Sequence, residues 1–110
     1  MAKLVILDPA QKELEEIALM HLRLVGPDSA RKITDMIYDT LGQLELFPLS
    51  GHPPRDRWLK RENYRYVISG KYIMIYRYME ADNTVYVYHI AHGARDYPAL
   101  FKRLLKEKPN

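Results

Sequence analysis

Three segments of the chain, 64–69, 72–79 and 84–91, are dense in Tyr, Ile and Val and are joined by links of only a few residues. Aromatic and β-branched side chains suit a pleated, half-buried surface, so each segment is predicted to be a strand. The first link turns at Gly70, between Ser69 and Lys71, and the second at Ala81-Asp82-Asn83. Gly adopts positive φ freely and Asn and Asp tolerate it, and links this short join antiparallel neighbours. The result is a meander, and the rest of a 110-residue chain must supply what covers it. Tyr64, Tyr66, Tyr72, Tyr76, Tyr78, Tyr86 and Tyr88 all fall within it. A Tyr ring covers apolar surface while its hydroxyl stays hydrated or bonded, so one face of the sheet is expected to be open to water or to another molecule.

Upstream, residues 3–7 form a brief β-prone run with no hairpin turn after it, which predicts a strand that joins the later sheet. Asp8-Pro9-x-Gln11 then has the form of a helix start, with Asp8 as the capping carboxylate and Pro9 in the first turn. Leu14, Ile17, Ala18, His21, Leu22 and Val25 follow at helical spacing, and Gly26-Pro27 ends the run. A second helix is predicted from Asp28-Ser29, with Ala30, Ile33, Ile37, Leu41 and Leu44 along one side, as far as Phe47-Pro48. The short link makes the two helices an antiparallel hairpin whose apolar face needs the sheet as cover. Residues 49–63, with Gly51, Pro53, Pro54 and no period, are predicted as a loop pinned by Trp58 and Leu59. Leu100, Phe101, Leu104 and Leu105 predict a short amphipathic helix over 98–106. The expectation is one α+β domain over 1–110: an N-terminal strand, a helical hairpin packed on a mostly antiparallel four-stranded sheet, and a C-terminal helix.

The chain has no Cys, which excludes disulfides and thiolate zinc sites. Its apolar runs are too short to span a bilayer, and residues 1–3 lead into structure without a signal-peptide core, so a cytoplasmic protein without a membrane partner is expected. His21 reads as a core-boundary residue and His52 as a surface one. His89 and His92 point to opposite faces of a strand, so neither a metal site nor a cofactor is expected. The net charge is +3, and Arg55, Arg57, Lys60, Arg61 and Arg65 crowd one stretch, where a local positive field attracts phosphates or an acidic partner. After the last strand the chain turns polar at His92-Gly93-Ala94-Arg95-Asp96-Tyr97.

Four local features, in this order, make the chain similar to the RelE/ParE superfamily of bacterial toxins. They are Gly26 followed by Ala30, Phe47-Pro48-x-x-Gly51, Tyr64-Arg65 with Tyr76-Arg77, and His92-Gly93-Ala94-Arg95-Asp96. The resemblance implies either of two activities: RelE-type members cut messenger RNA in the ribosome, and ParE-type members poison DNA gyrase. RelE-like toxins carry an Arg for the scissile phosphate in the second meander strand, where this chain has Ile73. Cleavage through a 2′-hydroxyl needs a base, an acid and cations for the charge that builds on phosphate. Arg65, His92, Arg95 and Tyr97 are the candidates for that work. The remaining features look more like ParE, with Arg55, Arg57, Arg61, Arg65, Arg77 and Arg95 as the target-binding set. Plainer roles stand beside these: His92 capping the strand, Arg95-Asp96 as a local ion pair, and Arg77 as the partner of a cross-strand acid. A member that keeps only its partner-binding role is a third possibility. Either toxin implies a cognate antitoxin, whose amphipathic segment is expected in the groove between the helical hairpin and the sheet.

Overall fold

The computed structural model describes residues 1–93 and 96–107. The order is β1 (Lys3–Ile6), α1 (Asp8–Leu24), α2 (Pro27–Leu46), α3 (Arg57–Arg61), β2 (Arg65–Ser69), β3 (Tyr72–Met79), β4 (Thr84–His92) and α4 (Tyr97–Lys106). The strands form one sheet in the order β1-β4-β3-β2, with β1 parallel to β4 and the other pairs antiparallel. This is the expected α+β architecture. Among the described residues, no helix is long and apolar enough to cross a membrane.

α1 starts differently from the expectation. Its N-cap is Leu7, with no side-chain capping bond, and Asp8 is already in the first turn, where its charge still complements the helix dipole. Between the helices Gly26 has φ 139°, a conformation closed to L side chains, and Pro27 opens α2 directly.

The sheet has a core on each face. On one face α1 and α2 pack Leu14, Ile33, Ile37, Leu41 and Leu44 against Tyr72, Met74, Tyr76, Val85 and Val87. On the other, Leu59 of α3 with Phe101 and Leu105 of α4 cover Tyr64, Ile73, Ile75 and Ala91. The expected open tyrosine face is therefore covered, because α4 lies back across it. The first core fills most of the space between hairpin and sheet, but a hollow of about 500 Å³ stays open between Glu16 and Met20 of α1, Tyr72 and His92 of the sheet, and Leu104 of α4. Much of the apolar surface left in water is on the hairpin, at Leu19, Met20, Leu22, Leu24, Val25 and Met36, with further exposed side chains at Phe47, Leu49, Ile68 and Met79. Leu22 and Val25, assigned above to the buried stripe, belong to this exposed set.

β1 is too short to flank all of β4, and α1 closes the gap with a side chain. The Glu13 carboxylate accepts the Ile90 N–H at 3.0 Å and lies 3.1 Å from His89 Nδ1, satisfying a strand edge that β1 does not reach.

Candidate target-binding surface

The 49–63 stretch contains a helix that its sequence does not announce. Asp56 caps α3 by accepting the Leu59 N–H at 3.0 Å, and its other oxygen accepts from Lys102 Nζ of α4 at 2.8 Å. The Lys102 bond, followed by the Leu59 amide, holds the Asp56 carboxyl below its ordinary pKa. Leu59 is fully buried and Trp58 half-buried, the pinning role expected for them. Arg55, Arg57 and Arg61 are exposed beside them.

Two of the other arginines are engaged in holding the fold. The Tyr76 hydroxyl accepts the Gly51 N–H at 2.9 Å and donates to the Pro48 carbonyl at 2.8 Å, while Arg65 Nη1 donates to the Gly51 carbonyl at 2.9 Å. This contact explains the Phe47-Pro48-x-x-Gly51 corner: a Cβ on Gly51 would run into the Tyr76 hydroxyl and ring. Burial pushes the Tyr76 phenol pKa up, against the Gly51 bond and the Arg65 charge, which pull it down. Arg77 sits 4.6 Å from the Tyr64 ring centroid and 5.1 Å from that of Tyr88, and donates to the Tyr88 hydroxyl from Nε and Nη2 at 3.1 and 2.9 Å. The acid expected opposite Arg77 is thus replaced by two aromatic faces and a hydroxyl. Arg65 and Arg77 line one open cleft of about 580 Å³, together with Leu49, Lys60 and Met79.

His92 and Tyr97 come together elsewhere. Both line a hollow of about 350 Å³ with Tyr66, Ile68 and Ile73. Tyr97 lies against Tyr66 at 5.2 Å and Phe101 at 6.0 Å between ring centroids. Its pKa is pushed up to about 12, first by burial and then by the hydrogen bond with Tyr66, with Arg55 opposing. His92 ends β4 opposite Tyr72, with the rings 5.5 Å apart and edge to face. Of the four candidate catalytic residues the fold therefore joins His92 and Tyr97. Arg65 pairs with Tyr76 in the sheet, and so points to the hairpin side, whereas Tyr66 and Tyr97 pack on the other face. Arg95 lies outside the described residues. Ile73 is 3% exposed, packed with Ile75, Ala91 and Phe101.

The histidines take quiet positions. His21 Nδ1 lies 3.0 Å from Ser29 Oγ and Nε2 3.1 Å from Tyr72 Oη, and His52 is exposed beside Tyr66. Among the described residues, no group of three or more His, Asp or Glu side chains could hold a metal.

A family model described as the ParE toxin of the type II toxin-antitoxin system parDE matches residues 4–97. The chain belongs to the ParE toxin family. Solved structures agree on the fold across the wider superfamily. The ParE-family chain is similar to a chain of the chromosomal ParDE toxin-antitoxin system from P. aeruginosa, with 17% identity, a TM-score of 0.64, and coverage of 84% of this chain and 96% of that one. It is similar to a chain of the RelBE2 toxin-antitoxin complex from Mycobacterium tuberculosis, with 18% identity, a TM-score of 0.57, and coverage of 83% and 96%. It is also similar to the isolated E. coli RelE toxin, with 16% identity, a TM-score of 0.59, and coverage of 94% and 99%. At such identities the likeness establishes the fold alone. No curated protein sequence matches the chain.

Proposed function

We propose that this ParE-family chain is the toxin of a type II module, that it acts in the cytoplasm, and that it arrests growth by binding and poisoning DNA gyrase rather than by cutting RNA. The observation that carries this reading is Ile73. It occupies the strand position where RelE-like toxins are expected to keep a phosphate-binding Arg, and here it is built into the second core at 3% exposure. Two further facts support it: Arg65 and Arg77 spend hydrogen bonds on Gly51 and Tyr88, and Arg65, paired with Tyr76, lies on the opposite face of the sheet from Tyr97. A binding toxin needs surface rather than proton-transfer geometry, and exposed Arg55, Arg57 and Arg61 provide it.

A cognate antitoxin neutralises it. The exposed apolar side chains at the end of α1 and on α2, among them Leu22, Leu24, Val25 and Met36, offer an amphipathic antitoxin segment an apolar surface beside the hollow between α1, the sheet and α4.

The nuclease reading keeps one supporting observation, the meeting of His92 and Tyr97 in a single hollow. Inducing the chain from a tight promoter and assaying gyrase-linked DNA breaks and cleavage of translated messages in the same cells separates the two. DNA breaks with intact messages are expected. Cleaved messages without DNA breaks, abolished by His92→Ala, would replace gyrase with the ribosome as the target.

A further inference from the structure

The chain's net charge of +3 conceals a strong separation. α1 carries Asp8, Glu13, Glu15 and Glu16 against Lys12 and Arg23, and α2 carries Asp28, Asp35, Asp39 and Glu45 against Arg31 and Lys32, so the hairpin layer is net −4. On the other side of the sheet α3 holds Arg57, Lys60 and Arg61, and α4 holds Lys102, Arg103 and Lys106, with no acid within either helix, so the two helices are net +6, and +2 with the capping Asp56, Glu62, Asp96 and Glu107 included. Folding makes little use of these cations. Lys102 pairs with Asp56 and Lys106 lies 5.0 Å over the Trp58 ring, but Arg57, Lys60, Arg61 and Arg103 are exposed and have no ion-pair partner among the described residues. Like charges concentrated on one layer repel one another, and a polyanion is what relieves that repulsion.

We infer that the outer surface of α3 and α4 binds the phosphate backbone of duplex DNA. One observation favours a duplex over single strands, and a second favours backbone contact over base reading. The large aromatics of this layer are already stacked on protein, Trp58 on Tyr64 and under Lys106, and Tyr97 between Tyr66 and Phe101, so they offer no platform for splayed bases. The exposed groups that remain are cations, which recognise phosphates without reading sequence. An acidic protein surface is the competing ligand, and the test includes it. This surface acts whether or not gyrase is the target, since it needs only phosphates.

The test is fluorescence anisotropy of a labelled 20-base-pair duplex with the full chain, repeated over a salt series. With three to five cations each releasing a counterion, log K against log salt falls with a slope of about −3 to −5. Arg57→Glu with Arg61→Glu weakens binding about tenfold or more and flattens that slope by about 2. Arg31→Glu with Lys32→Glu, an equal charge change on the hairpin, leaves binding within about twofold, because at 0.1 M salt charges beyond about 10 Å are screened. Circular dichroism melting verifies that both variants are folded, and Arg57→Gln with Arg61→Gln serves if the reversal pair is not. Four results would overturn the inference: no binding at low salt, equal loss from the two pairs, tighter binding of a single strand, or displacement of the duplex by polyglutamate at equal charge concentration. The last would assign the layer to an acidic protein partner.

Discussion

The two layers that sandwich the sheet are built for different ends. The hairpin layer is long, acidic and deeply packed: Ile37, Leu41 and Leu44 are at most 1% exposed, and what it shows to water includes an apolar ridge. The α3–α4 layer is short and basic, with Leu59, Phe101 and Leu105 as its buried anchors, Trp58, Tyr97 and Leu100 packed partly against them, and a single ion pair, Asp56–Lys102, tying the two helices. The difference teaches that burial and charge have been divided between the layers. One side supplies most of the cohesion, and the other spends few residues on cohesion and many on field.

The largest effect that tests this division is core truncation on each side. Leu41→Ala should cost about 2–5 kcal/mol and Phe101→Ala about 3–5 kcal/mol. The contrast lies in where the loss is felt. Leu41→Ala should lower the global unfolding midpoint, while Phe101→Ala should speed amide exchange mainly over residues 97–106 and leave 33–44 protected. Uniform acceleration in both variants would mean that the two layers fold as one unit and that the contrast is only one of charge.

The next effect sharpens the comparison at the joint between the layers, where the 48–51 corner leaves the hairpin and enters the stretch leading to α3. Gly51→Ala puts a methyl group against the Tyr76 phenol, and overpacking of that kind costs about 1–3 kcal/mol. Tyr76→Phe strands the Gly51 N–H and the Pro48 carbonyl and should cost a similar amount by denaturant titration, about 1–3 kcal/mol. If Gly51→Ala in a Tyr76→Leu background, which removes the ring carbons 2.6 and 2.9 Å from that Cβ as well as the hydroxyl, costs as much as it does alone, the two residues are not coupled and the corner is held by something else.

Most of this architecture was legible in the sequence, and the exceptions share a cause. The strand limits follow from the Tyr, Ile and Val runs, and the hairpin from helical spacing between Gly26-Pro27 and Phe47-Pro48, because those signals are local. α3 escapes such reading because five residues show no period, and its cap, Asp56, finds its second partner at Lys102, 46 positions away. Glu13 closing the β4 edge at Ile90 is equally remote. The candidate site divides in the same way: its residue types could be named, but strand register decides that Arg65 faces the hairpin while Tyr66 faces the other way, against Tyr97 of α4. The charge separation was hidden too, since the acidic hairpin and the basic α3 and α4 offset each other in a total and only the fold sends them to opposite faces.

The smallest effect tests the ion pair between Asp56 and Lys102 within the basic layer. Asp56 has its carboxyl pKa depressed by Lys102 and the Leu59 amide, so the ionised form is favoured by folding. The sign follows by linkage. A folded pKa below the unfolded one gives a contribution fully present above the unfolded value, near pH 4, and lost as pH falls through the folded one. The wild-type chain should therefore lose stability from this group on acidification below about pH 4, and Asp56→Asn should remove that component. At neutral pH the substitution should cost only about 0–1 kcal/mol, since Asn still caps the Leu59 N–H and a solvent-screened pair contributes little. Urea titrations of both proteins between pH 2.5 and 7 measure the difference. Parallel curves over the whole range would show that Asp56 and Lys102 are neighbours without being coupled, leaving apolar packing and Lys106 over Trp58 as what holds α4 to α3; convergence at low pH would make the pair a charge contact that serves the fold, with the exposed Arg57, Lys60, Arg61 and Arg103 left for a ligand.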